Sequence, residues 1–391
     1  MKKILIMTSM LFAFFMMSCN NENLEEQPLG PKSDCNNITE FDAAEISSDF
    51  LSKEYLKELN NPNFIDKASF QIKDDQVEKV IPIIGEEGEN NLYIVKNSIG
   101  FTIVSGLKNT SIIFGSSLFG TFDENNITPA FKIWLENASK FIDQAREIEC
   151  KDNERLSHKD GEVIKLSVVP LPSDILNIYP IANAEVNYNW GQRSPFNRKV
   201  PNGWTVGCGP LAIGMIIKYN EYANNNLPYR NWDKIHIETF ATSQEDIDYR
   251  AEYLNFIRTG CKAVSNNDQF KSSGTTPANC LAFLQSVGYT NAEIIDFSSK
   301  NMDKFYDELK KGYALMCVGY NEDSGHAFVI QGLRNMHTTD WFQTDEGILL
   351  DYDTWVLQHY INWGHKGDKN GWFQNFGDYN TNSKFIMNLH Q

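Results

Sequence analysis

The chain has 391 residues, enough to form two hydrophobic cores, and 41% hydrophobic with 13% aromatic residues supply the apolar material to fill them. With 35 Lys+Arg against 51 Asp+Glu the formal charge is −16, so nucleic acid and anionic membrane surfaces are repelled over most of the molecule and are excluded as partners. Seven cysteines, none paired as CxxC, exclude a disulfide scaffold, a zinc ribbon and a thioredoxin-like redox pair.

Lys2 and Lys3 give a basic start, and Ile4 to Met17 is an apolar run shorter than the roughly 20 residues a membrane-spanning helix needs. It reads as a secretory signal. Met16-Met17-Ser18-Cys19 resembles a bacterial lipobox, with Met where Leu is usual, so cleavage after residue 18 would leave Cys19 as a lipidated first residue. The protein is then expected to be exported and lipid-anchored in the bacterial outer envelope or at the cell surface, or released after further cleavage. Residues 19–36 hold Pro28, Gly30 and Pro31 without apolar periodicity and read as a flexible tether.

Residues 37–150 form a first block. Phe50, Leu51, Tyr55 and Leu59 are spaced for a helix, Leu92–Val95 and Gly100–Ser105 for strands, and Phe131, Trp134, Leu135, Ala138, Phe141, Ile142 and Ala145 for an amphipathic helix laid on a sheet. This is an α+β unit. Residues 151–185, charged at first and then interrupted by Pro170, Pro172 and Pro180, are expected to be extended or exposed and to form the joint between the blocks. Residues 186–391 form the second block.

Gly207-Cys208-Gly209-Pro210 opens an apolar helical run ending at Lys218-Tyr219, which places Cys208 at a helix N-terminus. The positive end of a helix favours thiolate, and its free N–H groups can receive a developing oxyanion. A small buried cysteine is the alternative reading of this segment alone. His326, after a turn and heading the strand Ala327–Ile330, is the best candidate base, and Gly325 gives the approach to it. Asn362, in the short strand segment Tyr360–Gly364, could accept a hydrogen bond from that imidazole, with Trp363 covering the bond from water. HExxH, GxSxG, GxxxxGK[ST] and GxGxxG are all missing, and His359 and His365 lack partners with ligand spacing, so no metal and no organic cofactor is expected. Cys261, Cys280 and Cys317 read as small core residues, with a disulfide as the alternative. His158, His236, His337 and His390 read as solvated.

These residues resemble the streptopain-like cysteine peptidases of the papain-like superfamily. Trp190 to Asn197 (WGQRSPFN) is similar to the family's first motif, in which Gln192 takes the oxyanion-hole role. Gly207-Cys208 resembles the nucleophile segment, Gly325–Ile330 the histidine strand and Asn362-Trp363-Gly364 the third motif, all in the family's order. Asn91–Val95, Gly100–Gly106 and Gly120–Phe122 resemble the family's inhibitory propeptide. The resemblance implies an α+β fold: a papain-like two-lobed catalytic domain, helical lobe against antiparallel sheet lobe, preceded by a small α+β propeptide. It implies a zymogen acting on protein or peptide substrates, with its own propeptide as intramolecular inhibitor and no membrane contact beyond the Cys19 lipid. Departures are Gly209–Ala212, where a Val-Ala-Thr-like run is usual and which also resembles leader-trimming peptidases, Gln331 for an acidic residue and His365 for an aromatic. The interval between His326 and Asn362 is also enlarged by roughly Leu333 to Trp355. A surface binding protein that kept the fold, or a leader-trimming peptidase, are the alternative functions.

Overall fold

A computed structural model of the chain describes residues 37–60, 77–108, 110, 112–118, 120–125, 127, 129–156, 174–179, 189–235, 243–265, 273–296, 301–320, 325–343, 349–374, 384–387 and 389. The signal, Cys19 and the tether lie outside them, as do His158, His236 and His390. No helix among the described residues is long and apolar enough to cross a membrane.

Helix α1 (Glu40–Asn60) begins where Thr39 and Asp42 cap each other: the Thr39 N–H donates to the Asp42 carboxylate at 3.0 Å and the Asp42 N–H to Thr39 Oγ1 at 3.2 Å. Its Phe50, Leu51 and Tyr55 are buried against a meander of β1 (Val77–Ile84), β2 (Asn90–Asn97), β3 (Gly100–Ser105) and β4 (Ile113–Ser117). The long helix α2 (Pro129–Leu156) buries Phe131, Trp134, Leu135, Ala138 and Ile142, the stripe read from the sequence. It runs six residues into the expected joint, because Glu, Lys and Arg are good helix formers even where no apolar stripe remains.

Within the joint, β5 (Asp174–Tyr179) pairs antiparallel with the distal part of β10 (Gly325–Gln343). Part of the stretch expected to be extended or exposed is therefore an extended strand laddered onto the sheet. Ile175, Leu176, Ile178 and Tyr179 have the side chains that favour a strand, and β10 offers them an open edge.

The second block builds its helical lobe around α3 (Cys208–Asn220), which is buried from Gly209 to Lys218. Helices α4 (Trp232–Ile235), α5 (Gln244–Gly260) and α6 (Pro277–Ser286) surround it, with the small ribbon β6 (Val264–Ser265) and β7 (Ser273–Gly274). Ser243 caps α5 and Thr276 caps α6, each accepting from the N–H three residues on. The sheet lobe follows: β8 (Glu293–Asp296), α7 (Met302–Lys310), β9 (Leu315–Tyr320), β10, β11 (Leu349–Asn362), β12 (Gly371–Gln374) and β13 (Lys384–Met387). The enlarged interval between His326 and Asn362 is one long hairpin, so Tyr360–Asn362 is the end of a 14-residue strand and not a separate short one.

The two blocks share one 11-stranded sheet, in the order β1-β2-β3-β4-β12-β11-β10-β9-β13-β8 with β5 on β10. At the junction Trp372 pairs with Ser116 and Phe373 with Gly115. A Cβ on Gly115 would lie 2.7 Å from the Phe373 ring, so only glycine lets the aromatic lie flat across the seam. Side chains stitch the same line: Gln358 and Gln374 donate to the Ile113 carbonyl at 3.0 and 2.8 Å, and the Trp134 indole donates to the Gln374 carbonyl at 3.0 Å. A single apolar cluster runs across the seam, from Phe101, Phe131 and Trp134 to Ile361, Trp363 and Phe373.

One ion pair crosses the seam buried. Arg334 of β10 donates to Glu54 of α1 at 2.7 Å and to Ser116 of β4 at 2.9 Å, while its Nε donates to Gln358 at 2.8 Å and its guanidinium lies 4.7 Å over the Trp372 ring. Removing one partner of such a pair leaves a buried charge uncompensated and costs about 3–5 kcal/mol. Glu54→Gln is therefore expected to loosen the docking of the first block on the second by that order, read as a lowered denaturant midpoint and faster proteolysis of α1, with the helical lobe unaffected.

Candidate active site

Cys208 is the first residue of α3, as its sequence implies. Gly207 before it has φ 95°, a left-handed conformation that glycine adopts without strain and that turns the chain into the helix. The thiol is half-buried and faces the sheet lobe. There it hydrogen-bonds the imidazole of His326, the second residue of β10, and the N–H groups of Ala327 and Gly209 also point at the sulfur. Burial pushes the Cys208 thiol up, but the hydrogen bond and charge of His326 and the two N–H groups outweigh it, and the net shift is downward. Burial likewise pushes His326 down, while Cys208 and the Trp363 carbonyl raise it, with a net upward shift. Both shifts favour a thiolate beside an imidazolium.

The far side of the ring meets the third motif. His326 Nε2 lies 3.2 Å from the main-chain carbonyl of Trp363. The acceptor placed there is thus the carbonyl one residue beyond the expected Asn362 carboxamide. Asn362 is fully buried, and its Oδ1 accepts from the Gly364 N–H at 3.0 Å, while the Trp363 N–H donates to Asn370 Oδ1 at 3.0 Å. These two bonds fix the turn that aims the Trp363 carbonyl at the ring. The Trp363 indole, only 1% exposed, packs on Phe328, Phe373 and Phe131, walling this end of the site with aromatic carbon.

Gln192 is brought to the same place. Its carbonyl accepts from the Val206 N–H at 2.9 Å, two residues before Cys208, and Trp190 is buried in the helical-lobe core beside Phe196 and Tyr253. The third-motif loop closes on this segment through the Gly191–His365 bridge and the Lys366 N–H to Trp190 carbonyl bond at 2.8 Å. Cys208, His326, Asn362, Trp363 and the backbone of Gln192 therefore converge, and Gly325 stands exposed at the approach.

Two features were missed in the sequence. His365, noted as a departure and as a metal-ligand candidate without partners, stacks on His326. Lys369 is fully buried under the first block, its N–H donating to the Thr121 carbonyl at 3.0 Å and its ammonium lying 5.0 Å over the Phe122 ring. The other cysteines are core residues: Cys261 and Cys280 are buried in the helical lobe as hydrogen-bond partners, and Cys317 is buried in the sheet lobe. Their hydrogen bonding and burial push the thiols of Cys261 and Cys317 up, the opposite of Cys208. Among the described residues no group of three or more His, Cys, Asp or Glu is placed to hold a metal ion.

A helix-borne thiolate facing a strand-borne imidazolium across two lobes, with an α+β unit docked on the sheet lobe, defines a papain-like thiol hydrolase with an attached N-terminal domain. Comparison with known proteins sharpens this. Residues 190–373 match the Peptidase C10 family and residues 35–142 match the Spi protease inhibitor. Streptopain from Streptococcus pyogenes serotype M28 is 25% identical over 66% of this chain and 72% of its own length, and streptopain of serotype M1 matches to the same extent. A fragment of Prevotella intermedia prointerpain A shares the fold, with a TM-score of 0.53 and 19% identity over 80% of this chain and 99% of that one. The chain is a streptopain-like cysteine endopeptidase carrying a Peptidase C10 domain and, ahead of it, a propeptide inhibitor domain.

The opposed shifts of Cys208 and His326 fix a pH signature. Iodoacetamide is expected to alkylate Cys208 selectively and below the ordinary thiol range near pH 8.5. His326→Ala removes the hydrogen bond and charge that lower the thiol and leaves the burial that raises it. The onset of alkylation should then move to or above the ordinary range, as followed by the mass of the Cys208 peptide against pH.

Proposed function

We propose that the chain is the zymogen of an exported cysteine endopeptidase. In it Cys208 attacks the peptide carbonyl, and His326, paired with the thiolate, delivers its proton to the leaving amine. The sulfur forms the acyl bond as the C–N bond breaks. Water then attacks the acyl-enzyme, giving one proton to His326, and expels the thiolate. Asn362 and Trp363 hold His326 in place, the latter through its carbonyl and by shielding the ring. The Gln192 carboxamide and the Cys208 N–H at the start of α3 bind the oxyanion. Protein or peptide chains approach past Gly325. The observation that carries this reading is the Cys208–His326 hydrogen bond at the N-terminus of α3, where the thiol is shifted down and the imidazole up.

Residues 37–150 act as the inhibitory propeptide, 151–185 as the activation joint and 186–391 as the catalytic domain. Because Cys208 and His326 are already paired with the first block docked, latency operates by gripping the 364–370 loop rather than by pulling the pair apart. Thr121, Phe122 and Phe131 make that grip on Lys369 and Trp363. Upstream, residues 1–18 serve as a lipoprotein signal and Cys19 as the lipidated N-terminus, so the zymogen sits on the bacterial envelope until it is cut.

The reading is tested on the chain from residue 20 beside its Cys208→Ala variant in reducing buffer near neutral pH, by intact mass against time and by casein hydrolysis. Only the former should shorten and digest casein. The new N-terminus should lie ahead of Asp174, since β5 is held in the sheet and a peptidase needs its target strand unpaired. Equal processing of both, or casein hydrolysis by the Cys208→Ala variant, would remove Cys208 from the mechanism.

A further inference from the structure

His365 has no part in the reaction outlined above, yet its ring lies in an offset stack beside the His326 imidazole. The two rings are 5.5 Å apart between centroids and inclined by only 16°. The main chain of His365 is fixed on both sides, by the bridge to Gly191 and by the Asp368 N–H donating to its carbonyl at 3.1 Å. Its Nε2 is buried without a hydrogen-bond partner. An orphan nitrogen costs stability, so packing alone would favour a hydrocarbon ring here.

The charges around the ring decide its state. His326 of β10 faces it across the stack, Lys369 from its own loop and Arg193 from the segment after Gln192, and Cys208 of α3 lies beyond His326. Burial first, and then these three cations, push His365 down to about 3. It is uncharged wherever the Cys208–His326 pair operates. An uncharged ring stacked on an imidazolium is an attractive cation–π contact, whereas two imidazoliums face to face would repel.

We propose that His365 is a positioning residue whose uncharged ring stacks on the His326 imidazolium, holds it between the Cys208 sulfur and the Trp363 carbonyl, and favours its charged form. This rests on the peptidase reading for the reaction, while the state of the pair is measurable without it. Taking the ring away should make His326 lose its proton at lower pH, so the alkaline step in Cys208 reactivity moves to lower pH. Phenylalanine, with a stronger π face and no orphan nitrogen, should leave that step in place or move it upward.

The test compares the full chain with its His365→Leu and His365→Phe variants, before and after self-processing. Three quantities are read: the rate of iodoacetamide alkylation of Cys208 against pH, kcat and KM on a fluorogenic peptide, and the thermal midpoint. The expected result for His365→Leu, which fills the volume without a π face, is an alkaline step lower by about half a pH unit and kcat lower by roughly tenfold at unchanged KM. His365→Phe should restore both. His365→Ala replaces the Leu variant should that one fail to fold. An unshifted alkaline step in the Leu or Ala variant would reduce His365 to a space-filler, and a Phe variant no better than Leu would assign the effect to the ring nitrogen; either result overturns the proposal. Shifted steps in a protein that cleaves no peptide would sustain the role of His365 and overturn the peptidase reading instead.

Discussion

Everything in the catalytic half serves one constraint: a sulfur on a helix and an imidazole on a strand, 118 residues apart in the chain, must stay in hydrogen-bond contact. Neither lobe can hold that contact alone. The helical lobe fixes Cys208 by burying α3 on all sides, so the helix has no freedom to rotate the thiol away. The sheet lobe fixes His326 by pairing its main chain with Gly319 of β9 and continuing into a strand buried through Arg334. The third-motif loop ties the two lobes together, since it carries the carbonyl that meets the imidazole and bonds through Lys366 to Trp190 in the helical-lobe core. Unfavourable burial of two ionisable groups is offset by making them each other's partner.

The propeptide uses the opposite side of the same machinery. It adds four strands to the edge at β12, directly after the loop that holds His326, and inserts Phe131 against Trp363. Pairing of strands supplies direction and register, while the aromatic cluster and the buried Arg334–Glu54 pair supply specificity for this partner. An inhibitor bound through an edge strand leaves the core of the enzyme already folded. Its removal exposes an aromatic-lined edge.

What was legible in the sequence follows from where the information is local. Gly207 before Cys208, Pro210 in the first turn and the apolar run behind them specify a helix start within a dozen residues, and the structure has it there. The stripe from Phe131 to Ala145 specified α2 for the same reason. What was not legible is non-local or comes from reading a charged stretch as extended or exposed chain. Residues 151–155 are polar yet helical, and Asp174–Tyr179 becomes a strand only because a distant edge of β10 is available. Pairing between β4 and β12, set by Gly115 accommodating Phe373, has no signature in either segment alone. The Trp363 carbonyl was invisible for a different reason: a main-chain group carries no residue identity, so motif reading credited the neighbouring Asn362 side chain.

His365 shows the same limit from the other direction. As a residue type it suggests a base, a metal ligand or a solvated surface group, and its sequence neighbours cannot choose among these. The structure chooses through electrostatics. Three cations and burial leave the ring no room for a fourth positive charge, so the property for which histidine is usually retained, its titration near neutrality, is suppressed. What remains is a flat, uncharged, rigidly held surface, and its value lies in what it faces. A catalytic imidazole must alternate between charged and neutral states without changing position, and a neighbour that favours the charged state without competing for its two hydrogen-bonding nitrogens meets that need.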